Sequence, residues 1–301
     1  MTRSASYGTV SATALAMKRQ KLLRKLLMFG LTLPVFAFIY LPIAWLFISS
    51  ISTRAELLAT PLRWVPENPD FQNYADILFP TEETSQVART FRVTLQNSLL
   101  VASSVTAISL FVGSLASYAL VRIRFRFQRV LLIGILGTRM IPEVSLVIPL
   151  YIIASRLKLL NTPYVLIITY LSFALPFVIW LMSSFFETVP VELEESARID
   201  GCTRLGILFR IVLPISTPGL VSTGLFVFLA AWDEFFFSLI FTSTVAAKTV
   251  PVAIAEFAGR HAIDIPAMMS GGVLAALPPV ILALLFQRYI VRGMTAGAVK
   301  G

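Results

Sequence analysis

Long runs of apolar residues, separated by shorter polar segments, make up most of the chain. The runs are continuous and do not alternate with polar positions, which favours helices over strands. Each approaches or exceeds the roughly 20 residues that a helix needs to cross a bilayer, and within lipid only helices or closed barrels satisfy the backbone polar groups. The pattern predicts an all-α integral membrane protein with six transmembrane helices, at 27–51, 95–121, 130–154, 164–187, 219–243 and 271–291.

The polar segments and their charges predict how these helices are oriented. If both termini are cytoplasmic, the inside segments contain 16 of the 25 Lys and Arg residues, whereas the outside segments contain 8. Because Lys and Arg concentrate on the cytoplasmic side, this orientation is favoured. The chain then divides into a cytoplasmic tail, a first helix, an extracytoplasmic loop, a core with the other five helices and a C-terminal cytoplasmic tail, at 1–26, 27–51, 52–92, 93–291 and 292–301.

Composition supports the membrane class and argues against several others. Apolar residues are 57% of the chain, charged residues 14%, and the mean hydropathy is +0.82, whereas soluble domains carry about 25% charged residues. We attribute the net charge of +9 to cytoplasmic loops anchored by Lys and Arg, and not to a nucleic-acid partner. With one Cys and one His, the chain has no internal disulfide, and the usual metal sites are not expected.

No enzyme motif accompanies these spans. The glycine-rich P-loop G-x-x-x-x-G-K-[ST] is absent, so the chain does not bind ATP through such a loop. There is also no H-E-x-x-H motif, and the single His argues against a Ser/His/Asp arrangement. The sequence therefore favours transport over catalysis.

The segment 188–218 is the most ordered polar interruption between two spans. Pro190 suits a helix start, and three glutamates crowd the first turns, where the helix dipole favours anions: Glu192, Glu194 and Glu195. Gly201 offers the positive φ that stops one helix and directs the next. We predict two short cytoplasmic helices around a glycine turn, an arrangement suited to docking a partner.

Four charged residues fall in the middle of predicted spans, away from their ends. Arg139 and Glu143 lie one helical turn apart in the third span, and Asp233 and Glu234 follow Trp232 in the fifth. A charge at mid-bilayer costs about 2.5–3.5 kcal/mol on insertion scales, so such groups usually face a bundle interior or a wet cavity. They predict the polar lining of a translocation path. Two alternatives stay open: an Arg139–Glu143 pair that neutralises itself, or helix ends closer to the interface.

Two prolines, Pro142 and Pro149, interrupt the same third span. Proline removes a backbone hydrogen bond and can loosen a helix for gating. Membrane helices also tolerate proline kinks, because neighbouring groups satisfy the freed backbone. Both readings remain open at the level of sequence.

The segment also carries a recognisable motif. Glu195-Ser196-Ala197, followed by Asp200-Gly201 and then Ile211-x-Leu213-Pro214, resembles the EAA loop of ABC importer permeases, with Ser196 in place of the first Ala. Further stretches are similar to the carbohydrate-uptake branch, specifically to the smaller permease of maltose-type transporters: Asn97-Ser98, Ser117-Tyr118-Ala119, Trp232-x-Glu234-Phe235 and the C-terminal Gln287–Gly301. The family usually has Asn where this chain has Asp233.

The resemblance implies a fold and a set of partners. The fold is that of a type I ABC importer permease in the bacterial cytoplasmic (inner) membrane, paired with a second, homologous permease as a heterodimer. Two ATPase subunits bind ATP and Mg, so this chain has no cofactor of its own and is not an enzyme. An extracytoplasmic solute-binding protein delivers a sugar or sugar derivative, and the remaining partner is membrane lipid.

The resemblance also implies roles for named residues. The residues that it implies in coupling to the ATPase are Glu194, Glu195, Ser196, Ala197, Asp200, Gly201, Leu213 and Pro214. The residues that it implies in a second contact with the ATPase are the C-terminal Thr295, Gly297, Lys300 and Gly301. The path candidates stay as above: Arg139, Glu143, Trp232, Asp233 and Glu234. The alternative function is a self-contained, ion-coupled secondary transporter that uses Arg139, Glu143 and Asp233.

Overall fold

The computed structural model of the chain describes residues 7–82, 84, 86–123, 126–259 and 264–298. Every regular element among these residues is helical, which confirms the predicted all-α class. The helices are α1 Tyr7–Ser50, α2 Arg54–Leu57, α3 Gln72–Leu78, α4 Gln86–Arg122, α5 Gln128–Gly137, α6 Glu143–Arg156, α7 Pro163–Glu187, α8 Val191–Ile199, α9 Arg204–Ile207, α10 Leu213–Ile215, α11 Thr217–Trp232, α12 Phe236–Phe241, α13 Val250–Gly259 and α14 Ile265–Ala298.

Four helices in the described residues are long and apolar enough to cross a membrane: Leu27–Ser50, Ala88–Arg122, Pro163–Glu187 and Ile265–Tyr289. Two further apolar segments are helix pairs bent by 90° and 83°. If each bent pair crosses once, the chain has six spans. By length and composition the protein is a multi-pass membrane protein with four to six spans.

The third predicted span is not one continuous helix. It consists of α5, a short 3₁₀ turn at Thr138–Met140 and α6, which leaves at 90°. Pro142 causes the break, because a proline disfavours the helical conformation of the residue before it, and Ile141 has extended angles (φ −73°, ψ 123°). The prediction that Arg139 and Glu143 lie one turn apart on a helix is therefore wrong.

Helices α4, α7 and α11 form the centre of the bundle and enclose the main hydrophobic core. Close approach of α4 and α7 depends on Gly113, where a Cβ atom would lie 2.5 Å from Cγ1 of Val178. Small residues at such positions let membrane helices pack tightly. The N-terminal helix α1 lies outside this core and packs against α14.

A Gly113→Leu substitution is expected to destabilise the protein by about 1–3 kcal/mol, because its side chain would overpack the α4–α7 contact. The matched control is Gly134→Leu on α5, where no atom lies within 4 Å of an added Cβ. Thermal unfolding of the detergent-solubilised protein measures both. Equal melting temperatures for the two variants would contradict the packing assigned to Gly113.

At one end of the bundle, the segment after α1 is organised by a capping box. The Thr53 backbone N–H donates to Oε2 of Glu56 (2.9 Å), and the Glu67 N–H donates to Oε1 (2.8 Å). These backbone donors, Thr53 first, lower the pKa of the Glu56 carboxyl below its usual value. The same end of the bundle contains a second, smaller core around Ile77, Phe91 and Leu274.

Candidate functional site

Segment 190–215 folds as the predicted pair of short helices around a glycine turn. Gly201 has φ +83°, a conformation that side-chain-bearing residues rarely adopt. Its N–H donates to the carbonyl of Arg198 (3.0 Å), and the Cys202 N–H donates to the carbonyl of Ala197 (2.9 Å). These bonds satisfy carbonyls at the end of α8 and fix the direction in which the chain leaves.

The chain returns from α9 to the bundle through a defined series of turns. Thr203 caps α9, accepting a hydrogen bond at its side-chain oxygen from the Gly206 N–H (3.2 Å). A π-helical turn at Leu208–Val212 follows, directly before α10 with Leu213 and Pro214. The chain then turns by 83° into α11. The motif residues Leu213 and Pro214 thus lie at the corner that joins the helix pair to the bundle.

Helix α8 has two chemically different faces. Glu194 and Ala197 are buried, whereas the neighbouring motif residues Glu195, Ser196 and Asp200 are exposed. The outer surface also carries apolar side chains: Ile199 is 87% exposed, and Leu193 is 45% exposed. Exposed apolar groups beside charged ones on a short, fixed helix are typical of a protein–protein docking surface.

Glu194 faces inward into a network of donors. Its Oε1 accepts from Nε of Arg122 (2.6 Å), and its Oε2 accepts from the Tyr118 hydroxyl (3.0 Å). Nη2 of Arg122 donates to the carbonyls of Phe186 (3.0 Å) and Val189 (2.8 Å). The side chain of Glu194 is 0% exposed and that of Arg122 is 11% exposed. This carboxylate therefore binds its own chain and is not part of the exposed surface of α8.

The sequence pattern missed the partners of Glu194. In the sequence, Arg122 counts only as one of the Lys and Arg residues assigned to the cytoplasmic side, and Tyr118 only as part of a family resemblance. Their spacing of four residues at the end of an apolar helix places both on one helical face. That spacing is the signal which could have identified them.

The path candidates of the third span lie at the helix break. Arg139 is exposed on the 3₁₀ turn, and its guanidinium lies 5.5 Å from the centre of the Phe177 ring. Glu143 is exposed at the first position of α6. Ion pairs in the described part of the chain do not include an Arg139–Glu143 pair. The self-neutralising pair is thus excluded in this conformation.

The fifth-span candidates do not share one environment. Trp232 is buried and stacks on Phe228, with ring centroids 5.6 Å apart. Asp233 is exposed and, with Trp232, lines a cavity of about 450 Å³ between α11, α13 and α14. Glu234 instead accepts from the backbone N–H groups of Phe237 (2.8 Å) and Ser238 (3.3 Å) at the start of α12. Glu234 therefore caps a helix where the span is interrupted.

At the opposite end of α4 from Arg122, two asparagines hold the strap, which we define as residues 242–250. Asn97 donates through Nδ2 to the carbonyls of Val245 (3.1 Å), Ala246 (3.1 Å) and Lys248 (3.0 Å). Asn161 accepts from the N–H groups of Ser243 (3.0 Å) and Thr244 (2.9 Å). The resemblance noted Asn97, but the pattern gave no reason for it.

An Asn97→Ala substitution is expected to destabilise the protein by about 1–3 kcal/mol, because it leaves the strap carbonyls without their donor. Asn68→Ala, at an exposed position, is the matched control. Limited proteolysis of the strap reports the change directly. Identical cleavage rates in the two variants would contradict this role of Asn97.

The C-terminal candidates are only partly described. Thr295 and Gly297 belong to α14, which continues to Ala298. Lys300 and Gly301 lie outside the described residues, as does His261. Within the described part of the chain, no group of three or more His, Cys, Asp or Glu residues is placed to hold a metal ion.

The fold and site are those of a membrane permease: a helical bundle in which helix α8 is anchored inward by Glu194 and exposes apolar side chains on its outer face. A family model described as "Binding-protein-dependent transport system inner membrane component" matches residues 107–296. The chain belongs to this family. It is a transport component and not an enzyme, and the resemblance inferred from the EAA-like motif is confirmed.

Related proteins agree with this assignment. The trehalose/maltose transport system permease protein MalG of Thermococcus litoralis is 39% identical over 95% of this chain and 100% of its own length. The sulfoquinovosyl glycerol transport system permease protein SmoH of Agrobacterium fabrum is 37% identical, covering 86% of this chain and 88% of that protein. A bacterial ABC transporter for import of the acidic polysaccharide alginate shares the fold, with a TM-score of 0.70 at 22% identity, over 96% of this chain and 99% of that chain.

Proposed function

We propose that this chain is one permease subunit of an ATP-driven importer for a sugar or sugar derivative, located in a bacterial inner membrane. The carbohydrate substrates in the names of its relatives support the substrate class, since trehalose/maltose and sulfoquinovosyl glycerol are both glycosides or glycoside derivatives. An extracytoplasmic solute-binding protein delivers the substrate. The family description, which names a binding-protein-dependent system, supports this partner.

The observation that carries the proposal is the two-faced helix α8. We infer that its outer face docks on one of two ATPase subunits that bind ATP and Mg, with Glu195, Ser196, Asp200 and Gly201 at the contact. The exposed Ile199 and Leu193 support this, because a fixed apolar surface beside the membrane needs a protein partner. Leu213 and Pro214 act at the corner, and the C-terminal Thr295, Gly297, Lys300 and Gly301 form a second contact.

We further infer six spans, with each bent pair counted as one, and both termini in the cytoplasm. The bias of Lys and Arg supports this topology. Segment 52–92 then lies outside, and 188–218 lies inside. A second, homologous permease completes the path as a heterodimer. An 18-residue apolar stretch within Leu27–Ser50 of α1 has no buried residue in the single chain, which supports contact with that permease and lipid.

The translocation path is assigned to the groups that remain exposed near interrupted helices: Arg139, Glu143 and Asp233, with Trp232 as an apolar wall. Broken membrane helices commonly line substrate sites, because their free backbone groups need polar surroundings. Glu234 lies at the edge of this region, where its carboxylate caps the start of α12.

Ile199→Asp tests the docking surface. A carboxylate in an apolar contact is expected to lower uptake and binding-protein-stimulated ATP hydrolysis at least about tenfold, since a central interface side chain is worth 2 kcal/mol or more. The assay uses the complete transporter in proteoliposomes, with binding protein outside and ATP inside. Val65→Asp, at a position 79% exposed in segment 52–92, is the control. Wild-type values for both activities of Ile199→Asp would overturn the assignment.

A further inference from the structure

The carboxylate of Glu194 is held by side chains from a helix that is distant in sequence. Arg122 and Tyr118 both lie on the last turns of α4, whereas Glu194 lies on α8, more than 70 residues later. The Tyr118 ring packs edge-on against Phe186 of α7 (6.4 Å between centroids), which fixes the direction of its hydroxyl. The buried carboxylate of Glu194 accepts two side-chain hydrogen bonds from α4. Such directional bonds permit little movement of α8 relative to α4.

Arg122 joins a third element to this contact. The planar guanidinium places Nε on Glu194 and Nη2 on the carbonyls of Phe186 and Val189, at the end of α7 and in the link to α8. A guanidinium provides several donors in a rigid fork, which an ammonium group cannot reproduce. One side chain of α4 therefore binds both the helix that precedes α8 and α8 itself.

The N-terminal half of α4 is also fixed. Asn97 binds three carbonyls of the strap, and the Ser98 hydroxyl accepts from the Val250 N–H (2.8 Å). Between Asn97 and Tyr118, α4 is an uninterrupted helix without proline. At about 1.5 Å per residue, these two anchor points lie about 30 Å apart. A single rigid helix thus connects the root of α8 to the far end of the bundle.

We propose that Tyr118, Arg122 and Glu194 are positioning residues that clamp α8 to α4, so that α4 carries the movement of the docking helix across the bundle to the strap. The proposal rests on the proposed function, in which ATPase subunits move α8. Without the clamp, α8 would be held to the bundle only through its chain ends and through apolar packing such as that of Ala197. Rigid-body transmission then weakens, since flexible connections absorb displacement.

The chemistry of the contact favours a positioning role. Buried ion pairs contribute little net stability compared with well-packed apolar groups, but they fix relative orientation through directional bonds. The adjacent Glu195 is exposed and free to face a partner, so the two neighbouring carboxylates serve opposite sides of α8. Two exposed arginines, Arg198 of α8 and Arg204 of α9, line a pocket together with Tyr118 and Arg122.

The test compares sugar transported per ATP hydrolysed in the complete reconstituted transporter. Glu194→Gln and Arg122→Lys keep similar size while weakening the clamp, and each is expected to lower this ratio at least about fivefold, the lower range of ordinary coupling between sites. Tyr118→Phe removes one of the two donors and is expected to lower it less. The matched control is Glu187→Gln, an exposed carboxylate at the end of α7. A ratio equal to wild type in both Glu194→Gln and Arg122→Lys would overturn the proposal.

Spin labels provide a readout that a merely structural role would not change. Labels at exposed Glu192 on α8 and Ile123 beyond α4, in a Cys202→Ser background, report the distance between these elements. With the clamp intact, one narrow distance is expected in both the ATP-bound and nucleotide-free transporter. In Glu194→Gln the distribution is expected to broaden or change with nucleotide. If the distance between the two labels changes on ATP binding in the transporter with an intact clamp, α8 and α4 do not move together.

Failure of this proposal is distinguishable from failure of the proposed function. If Ile199→Asp abolishes activity while the clamp variants keep the wild-type ratio, α8 docks the ATPase but α4 does not carry its movement. If Ile199→Asp has no effect, the docking assignment itself fails. A clamp variant that does not assemble is replaced by Tyr118→Phe, which removes only a hydroxyl and keeps the ring contact with Phe186.

Discussion

Replacement of Arg122 by alanine is expected to cause the largest loss of stability of any single substitution considered for this chain. It would leave the carboxylate of Glu194 buried without a counter-charge and would free the carbonyls of Phe186 and Val189. Breaking a buried ion pair from one side costs about 3–5 kcal/mol. Such a loss is comparable to much of the stability of a typical domain, so little assembled transporter should be recovered from the membrane.

The matched control for Arg122→Ala is Arg129→Ala, an exposed arginine at the start of α5, which should assemble normally. A double variant, Arg122→Met with Glu194→Met, removes both charges and keeps apolar volume. It should regain most of the assembly, because no buried charge is left without its counter-charge, but not efficient transport. Size-exclusion chromatography of the solubilised complex measures assembly. Normal recovery of Arg122→Ala would contradict the energetic role given to the pair.

Replacement of Gly201 by valine is expected to uncouple the transporter. The residue has φ +83°, where L-residues are strained by roughly 1–2 kcal/mol and β-branched ones fit worst. Relief of that strain would rotate the end of α8 and displace Ile199 from its docking position. Uptake and binding-protein-stimulated ATP hydrolysis should both fall, while Gly201→Asn should retain more activity, because Asn tolerates this conformation.

Gly137→Val is the matched control for the glycine substitution. Gly137 has an ordinary helical conformation (φ −59°), and an added Cβ would meet no atom within 4 Å. The two activities are measured in the same proteoliposomes, normalised to the amount of assembled complex. If Gly201→Val couples as well as Gly137→Val, the turn geometry is not required for docking.

The sequence predicted the parts of the fold that depend on local chemistry. Apolar runs of sufficient length predicted the helical, multi-pass class, and Gly201 between two helix-forming segments predicted a turn with positive φ. Both predictions follow from short-range rules: helix length against bilayer thickness, and the steric freedom of glycine. Pro142 was recognised as a possible kink, but the 90° bend depends on packing around α5 and α6, which local pattern does not encode.

The contacts that position the site could not be predicted in the same way. Glu194 and Glu195 are adjacent and chemically identical, and only the packing of α8 against α4 and α7 decides which one turns inward. The same holds for Glu234, which caps α12 only because the fifth span ends at Trp232. The Asn97 bonds to the strap join residues about 150 positions apart. Such long-range pairings follow from tertiary structure.

The central claim is that this chain transports a sugar only as part of an ATP-driven, binding-protein-dependent assembly. The most direct test reconstitutes the chain with its partner permease, with or without the ATPase subunits, and measures uptake of the sugar bound by the solute-binding protein. We expect uptake only with ATPase subunits, ATP on the cytoplasmic side and binding protein on the other, and no response to an imposed proton or sodium gradient. Uptake by this chain alone, driven by such a gradient, would contradict it.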